Sequence, residues 1–109
     1  MKREISKRKE RRDNFIVEFL LEHKGRDKCV SSKSICEFLE SNGYKMNPTS
    51  LFPNIHRIMY ENDIPICYIS MKGYYVAENE DDVLPVIEDL QKRINGFQKH
   101  IDFLQKFIH

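Results

Sequence analysis

The chain has 109 residues with 40% apolar, 11% aromatic and 32% charged side chains and only four Gly and four Pro, enough for one hydrophobic core and too short for two. That composition excludes disordered, collagen-like and low-complexity chains, and no stretch approaches the roughly 18 consecutive apolar residues of a membrane span. The net charge of +1 is polarised: residues 1–12 hold seven basic against two acidic side chains, a net of +5, which leaves −4 on the remainder.

The charged N-terminus has no apolar segment of signal-peptide type behind it, and Cys29, Cys36 and Cys67 are odd in number and far apart. We therefore expect a cytoplasmic protein with reduced thiols, no disulfide and no membrane contact.

Residues 1–13 are too charged to pack and read as a basic arm, either disordered or a solvated extension of the first helix. Phe15, Ile16, Phe19 and Leu20 then recur on one helical face, predicting a helix over 13–24 with Gly25 as its C′ residue. Ser31, Ser32 and Ser34 precede Ile35, Cys36, Phe38 and Leu39, with Glu37 placed for a capping box, so a short helix is expected over 32–42, stopped by Asn42-Gly43. Leu51, Ile55, Ile58 and Met59 predict a third helix over 50–62. With Ser50 as its cap, Pro53 falls in the first turn, and Asn62-Asp63 can supply a left-handed terminator. Ile64 to Ile69 and Tyr74 to Val76, joined through Gly73, read as a β-hairpin whose alternation puts one of Tyr74 and Tyr75 in the core.

From Glu80 the chain is helical again. Val83, Ile87, Leu90, Ile94, Phe97, Ile101, Leu104 and Ile108 step by four and three without interruption, which is a heptad seam. A helix of about 28 residues would be roughly 42 Å long and would overhang so small a body, so the seam points to a coiled coil between two chains. Folding back onto the first three helices is the alternative. The expected class is α+β, mostly α, with an arm at 1–13, a domain at 14–77 and a dimerisation helix at 78–109.

Three helices followed by a hairpin is the element order of a winged helix-turn-helix domain. The stretch Asp63-Ile64-Pro65-Ile66, then Lys72-Gly73-Tyr74-Tyr75-Val76, then the acidic helix start at Glu78 to Asp82, resembles winged-helix DNA-binding proteins of bacteria and phages over residues 14–105. In that family Gly is preferred where Asp63 stands here. The resemblance implies a three-helix body, a wing, and a third helix that reads duplex DNA.

On the third helix Asn54, His56, Arg57 and Glu61 face away from the apolar set. Asn and Arg pair bidentately with adenine and guanine edges, so Asn54 and Arg57 are the candidate base readers, with His56 beside them. A merely solvated polar face is the bland alternative. Thr49, Ser50 and the helix N-terminus, flanked by Lys33 and Lys45, can take a phosphate, and Lys72 stands at the hairpin tip. Arg3, Lys7, Arg8, Lys9, Arg11 and Arg12 form the strongest electrostatic signature, that of a nucleic-acid-binding arm.

The tyrosines and Phe52 invite single-strand stacking, a weaker reading. No short paired spacing of His and Cys suggests zinc, and we expect neither metal nor cofactor. No phosphate loop, H-E-x-x-H or paired carboxylates support an enzyme. The expected function is that of a homodimeric DNA-binding regulator or phage or mobile-element accessory factor. Its rival is a small phage-type inhibitor, similar to anti-CRISPR proteins, that binds a host protein or protein–nucleic-acid complex. Arg57 as the only Lys or Arg on the third helix and the acidic C-terminal third favour the rival.

Overall fold

The computed structural model describes residues 2–108, with side chains from Lys7 onward. The chain runs α1 (Lys2–Leu21), a short 3-10 turn (Arg26–Lys28), α2 (Ser32–Ser41), α3 (Pro48–Asn62), β1 (Ile66–Ile69), β2 (Gly73–Val76) and α4 (Glu80–Gln105). This is a mostly helical α+β fold, compatible with a winged helix.

The first helix begins eleven residues earlier than its apolar periodicity suggests. Lys, Arg and Glu are good helix formers, and neither Gly nor Pro interrupts 2–21, so the charged segment continues the helix instead of fraying away from it. At its other end α1 stops at Leu21, ahead of Gly25. That glycine, at φ 93°, serves a different purpose from C-capping: its N–H donates to the Val76 carbonyl at 2.8 Å, and Val76 N–H donates to His23 O at 2.9 Å.

Ser31 caps α2 by accepting from Ser34 N–H at 3.1 Å, so the box available at Ser34 and Glu37 goes unused. Asn47, not Ser50, caps α3, accepting from Ser50 N–H at 2.9 Å, with Pro48 as the first helical residue. Pro53 consequently lies beyond the first turn, where it removes one ladder bond that Thr49 would have accepted. The helix nevertheless continues to Asn62, ended by Asp63 in the left-handed conformation at φ 52°.

Ile16 and Leu20 of α1, Ile35 and Leu39 of α2, and Leu51, Ile55 and Ile58 of α3 form the core, each at helical spacing and each buried. Burying each is worth about 1.5–3 kcal/mol. β1 and β2 pair antiparallel, with Cys67 opposite Tyr75 and Tyr68 opposite Tyr74. On its other edge β2 meets Val30, which exchanges two 2.8 Å backbone bonds with Tyr74. Both faces of β2 are covered, so Tyr74 and Tyr75 are both buried, where strand alternation alone suggested one. Tyr74 packs into the three-helix core, and Tyr75 donates its hydroxyl to Asp82 O of α4 at 2.6 Å.

Asp82, buried in the first turn of α4, also accepts from Glu78 N–H at 2.9 Å and lies 3.7 Å from Arg26 Nε. This anchors the start of α4, a helix about 39 Å long, under the hairpin. All three cysteines are free thiols, and burial pushes each above its ordinary pKa. Among the described residues no helix is long and apolar enough to cross a membrane.

Candidate nucleic-acid interface

The basic half of α1 lies against the connection between α2 and α3. Arg8 donates from Nη2 to Gly43 O at 2.7 Å, and its guanidinium sits 4.8 Å above the Tyr44 ring. These contacts fix the direction of the helix while Lys7, Lys9 and Arg11 stay exposed. Two shallow depressions open beside Tyr44, lined by Lys7, Arg8 and Arg11 on one side and by Lys9, Arg12 and Lys45 on the other. They run toward a cleft of about 590 Å³ at the start of α3, where Arg12 and Lys45 meet Asn47, Ser50 and Asn54. Cations and the positive end of a helix thus share one face. Among the described residues Glu40 is the one acid in the cleft wall.

Asn54 and Arg57 do not project freely from α3. Arg57 donates to Asp13 Oδ2 and to Glu61 Oε2, both at 2.9 Å, and to Asn54 Oδ1 at 3.1 Å. The same Asn54 oxygen accepts from Arg12 Nη2 at 3.1 Å, while Asn54 Nδ2 donates to Ser50 O at 2.8 Å. Arg12 also lies 3.4 Å from Asp13, and its Nε is buried with no acceptor among the described residues. Two cations, two carboxylates and an amide therefore interlock α1 with α3. Arg57 is 27% exposed and Asp13 15%, so reading a guanine requires Arg57 to exchange its contact with Asp13 for one with the base. Asp13 escaped the sequence reading because it sits at the end of a charge run and resembles its neighbours.

The remaining sequence-predicted residues are spread out. Ser50 lines the cleft, whereas Thr49 is exposed beside it and Lys33 is exposed on the first turn of α2. His56 turns toward the hairpin side, its ring 4.4 Å from that of Phe52 and its Nδ1 3.0 Å from Phe52 O. Lys72 stands exposed at the hairpin tip, next to Met71 at φ 68°. The Arg3 side chain lies outside the described residues. The structure therefore brings Lys7, Arg8, Lys9, Arg11, Arg12, Lys45, Ser50 and Asn54 together and leaves Lys33, His56 and Lys72 on other surfaces.

A second surface went unnoticed in the sequence: an apolar groove of about 310 Å³ between α3, the hairpin and α4, walled by Phe52, Met59, Tyr60, Tyr68, Val86 and Leu90. On α4 the seam residues Ile87, Leu90, Ile94, Phe97, Ile101 and Leu104 are all exposed, as is Ile108 just beyond its end, with Val83 half-buried. The helix does not fold back over the body. Among the described residues no three of His, Cys, Asp and Glu gather as metal ligands would.

Comparisons with protein-family models, with curated proteins and with solved structures return no match for this chain.

Proposed function

We propose that the chain is a winged-helix protein that binds duplex DNA as a homodimer, in the cytoplasm of a bacterial or phage-infected cell, as a regulator or a mobile-element accessory factor. The observation that carries this reading is the contact of Arg8 with Gly43 and Tyr44, which holds the exposed cations of α1 in line with Lys45 and the start of α3. A tract of this kind can neutralise phosphates, which supplies affinity without sequence information. The α1–α3 network then stands between non-specific and specific binding, since Arg57 and Asn54 must leave their partners to reach base edges. The open seam of α4 supplies the dimer face, and two bodies on one duplex give two half-sites.

The second reading, an inhibitor that binds a protein or protein–nucleic-acid complex, is favoured by one observation: the two best base-reading side chains are already engaged inside the chain. A fluorescence-anisotropy titration of a labelled 30-base-pair duplex across a salt series separates them. DNA binding whose log K falls linearly with log salt supports the first reading. Absence of binding at low salt overturns it and leaves the inhibitor.

A further inference from the structure

The face that α4 leaves open has a direction built into it. Its first half, from Glu80 to Gln91, exposes Glu80, Asp81, Glu88 and Asp89 and carries no basic side chain, Asp82 being buried against the body, whereas residues 92–106 carry Lys92, Arg93, Lys99 and Lys106 against Asp102 alone, with Arg93 3.0 Å from Asp89. Parallel pairing with another α4 would lay four exposed acids beside four exposed acids. Antiparallel pairing lays each acidic half along a basic half, so charge selects that orientation.

The spacing of the seam leads to the same arrangement. In an antiparallel pair each core layer joins the two kinds of seam position, one from each chain. The steps of four and three are symmetric about the midpoint between Ile94 and Phe97. One register therefore gives every seam residue a layer: Ile94 meets Phe97, Leu90 meets Ile101, Ile87 meets Leu104 and Val83 meets Ile108 of the second copy. A slip of seven residues in either direction strands two seam residues on each chain, which makes the register self-specifying.

The apolar groove supplies the third observation. Its α4 wall includes Val86 and Arg93, one heptad apart on one edge of the seam, and Phe107, in the turn just past the end of α4, stands where that edge, continued, falls three heptads beyond Val86. Antiparallel helices bring like edges together, so Phe107 of one chain arrives opposite Val86 of the other, at the mouth of the groove. Parallel helices would leave it roughly 31 Å of helix away. Phe107 is 67% exposed, its ring braced at 5.4 Å by Phe103, while Phe52 and Tyr60 of the groove are 48% and 76% exposed. Each of these surfaces matches what the other lacks.

We infer that α4 pairs with α4 of a second copy in antiparallel orientation, in the register that sets Leu90 against Ile101, and that Phe107 of each chain fills the groove between α3, the hairpin and α4 of the other. The inference rests on the reading of α4 as a self-association face. It adds the orientation, the register and a pocket completed by the partner, and it places the two bodies at opposite ends of the helical pair.

The test uses the full chain in a Cys29→Ser background, which removes the most accessible thiol. Leu90→Cys and Ile101→Cys are prepared separately, one with a tag, then mixed and oxidised with oxidised glutathione. The expected result is a covalent dimer from the mixture and none from either variant alone. Covalent dimers from each variant alone overturn the orientation while leaving self-association intact, and a monomeric mass by light scattering for the parent overturns both. Because the chain contains no Trp, Phe107→Trp reports on the groove directly. Its emission should be blue-shifted relative to the same variant made monomeric by Ile94→Asp, and coincident spectra overturn the seating of residue 107.

Discussion

Arg57 of α3 donates to Asp13 of α1 at 2.9 Å across a sequence separation of 44 residues, and this ion pair ties the candidate reading helix to the basic arm. Asp13→Asn keeps the shape of the side chain but removes the charge that holds Arg57 and Arg12. We expect a loss of about 1–2 kcal/mol in urea unfolding, since a charge-assisted bond that is only partly shielded is weakened rather than deleted. The same variant should bind duplex DNA more tightly, because two guanidinium groups are released. Weaker or unchanged binding in an anisotropy titration would show that the network does not restrain them.

Arg57→Ala separates reading from scaffolding. It should cost about 1–3 kcal/mol on a selected site and little on a scrambled duplex of the same length, because a bidentate bond to guanine matters only where the guanine is present. Equal losses on the two duplexes would assign Arg57 to the α1–α3 network alone.

Lys7, Lys9 and Arg11 are exposed, which makes them suitable for changing DNA affinity without changing the fold. The triple Ala variant should melt with the parent chain. Its slope of log K against log salt should become shallower by roughly 0.9 for each phosphate the variant no longer neutralises. A parallel pair of salt plots for variant and parent would remove these cations from the interface.

Two glycines make opposite predictions under the same substitution. A Cβ on Gly73 would stand 2.1 Å from the Val30 carbonyl oxygen, and its φ of 124° is one that alanine rarely adopts, so Gly73→Ala should lose about 2–4 kcal/mol. Gly96 lies inside α4 with open space around its Cβ position, so Gly96→Ala should raise helix stability by up to about 1 kcal/mol. Thermal melts of the two variants, read by circular dichroism, should move in opposite directions.

Stability should be lost on the alkaline side. Burial raises the pKa of Tyr75, of Tyr74 and of the three thiols above the ordinary values of 10.0 and 9.0, so the folded chain holds protons that the unfolded chain releases. Their contribution is complete below about pH 8, declines once the unfolded thiols and then phenols ionise, and continues to fall until the folded groups themselves titrate. Urea midpoints measured from pH 7 to 11 should fall above pH 9, and Tyr75→Phe should flatten the upper part of the curve.

Apolar patterning together with capping and turn residues marked three helices, a hairpin and one long heptad helix, though not the charged first half of α1. Residues 16 and 20, 35 and 39, and 51, 55 and 58 each mark a buried face within one or two helical turns, and Asp63 and Gly73 mark backbone turns by their own conformational tolerance. Such signals are local, so neighbours in sequence carry them. The tertiary structure decided what the polar residues do. Arg57 reads as a base reader or a solvated cation until Asp13 is brought to it, Tyr74 and Tyr75 alternate until Val30 and α4 cover both faces of β2, and the arm reads as either disordered or a helix extension until Arg8 finds Gly43. Each of these outcomes depends on a partner contributed by a distant element, and a polar side chain in an unfolded sequence carries no mark of the partner it will meet. The seam of α4 lies between these cases: its period was legible, and its exposure became visible only once the body was seen to leave it uncovered.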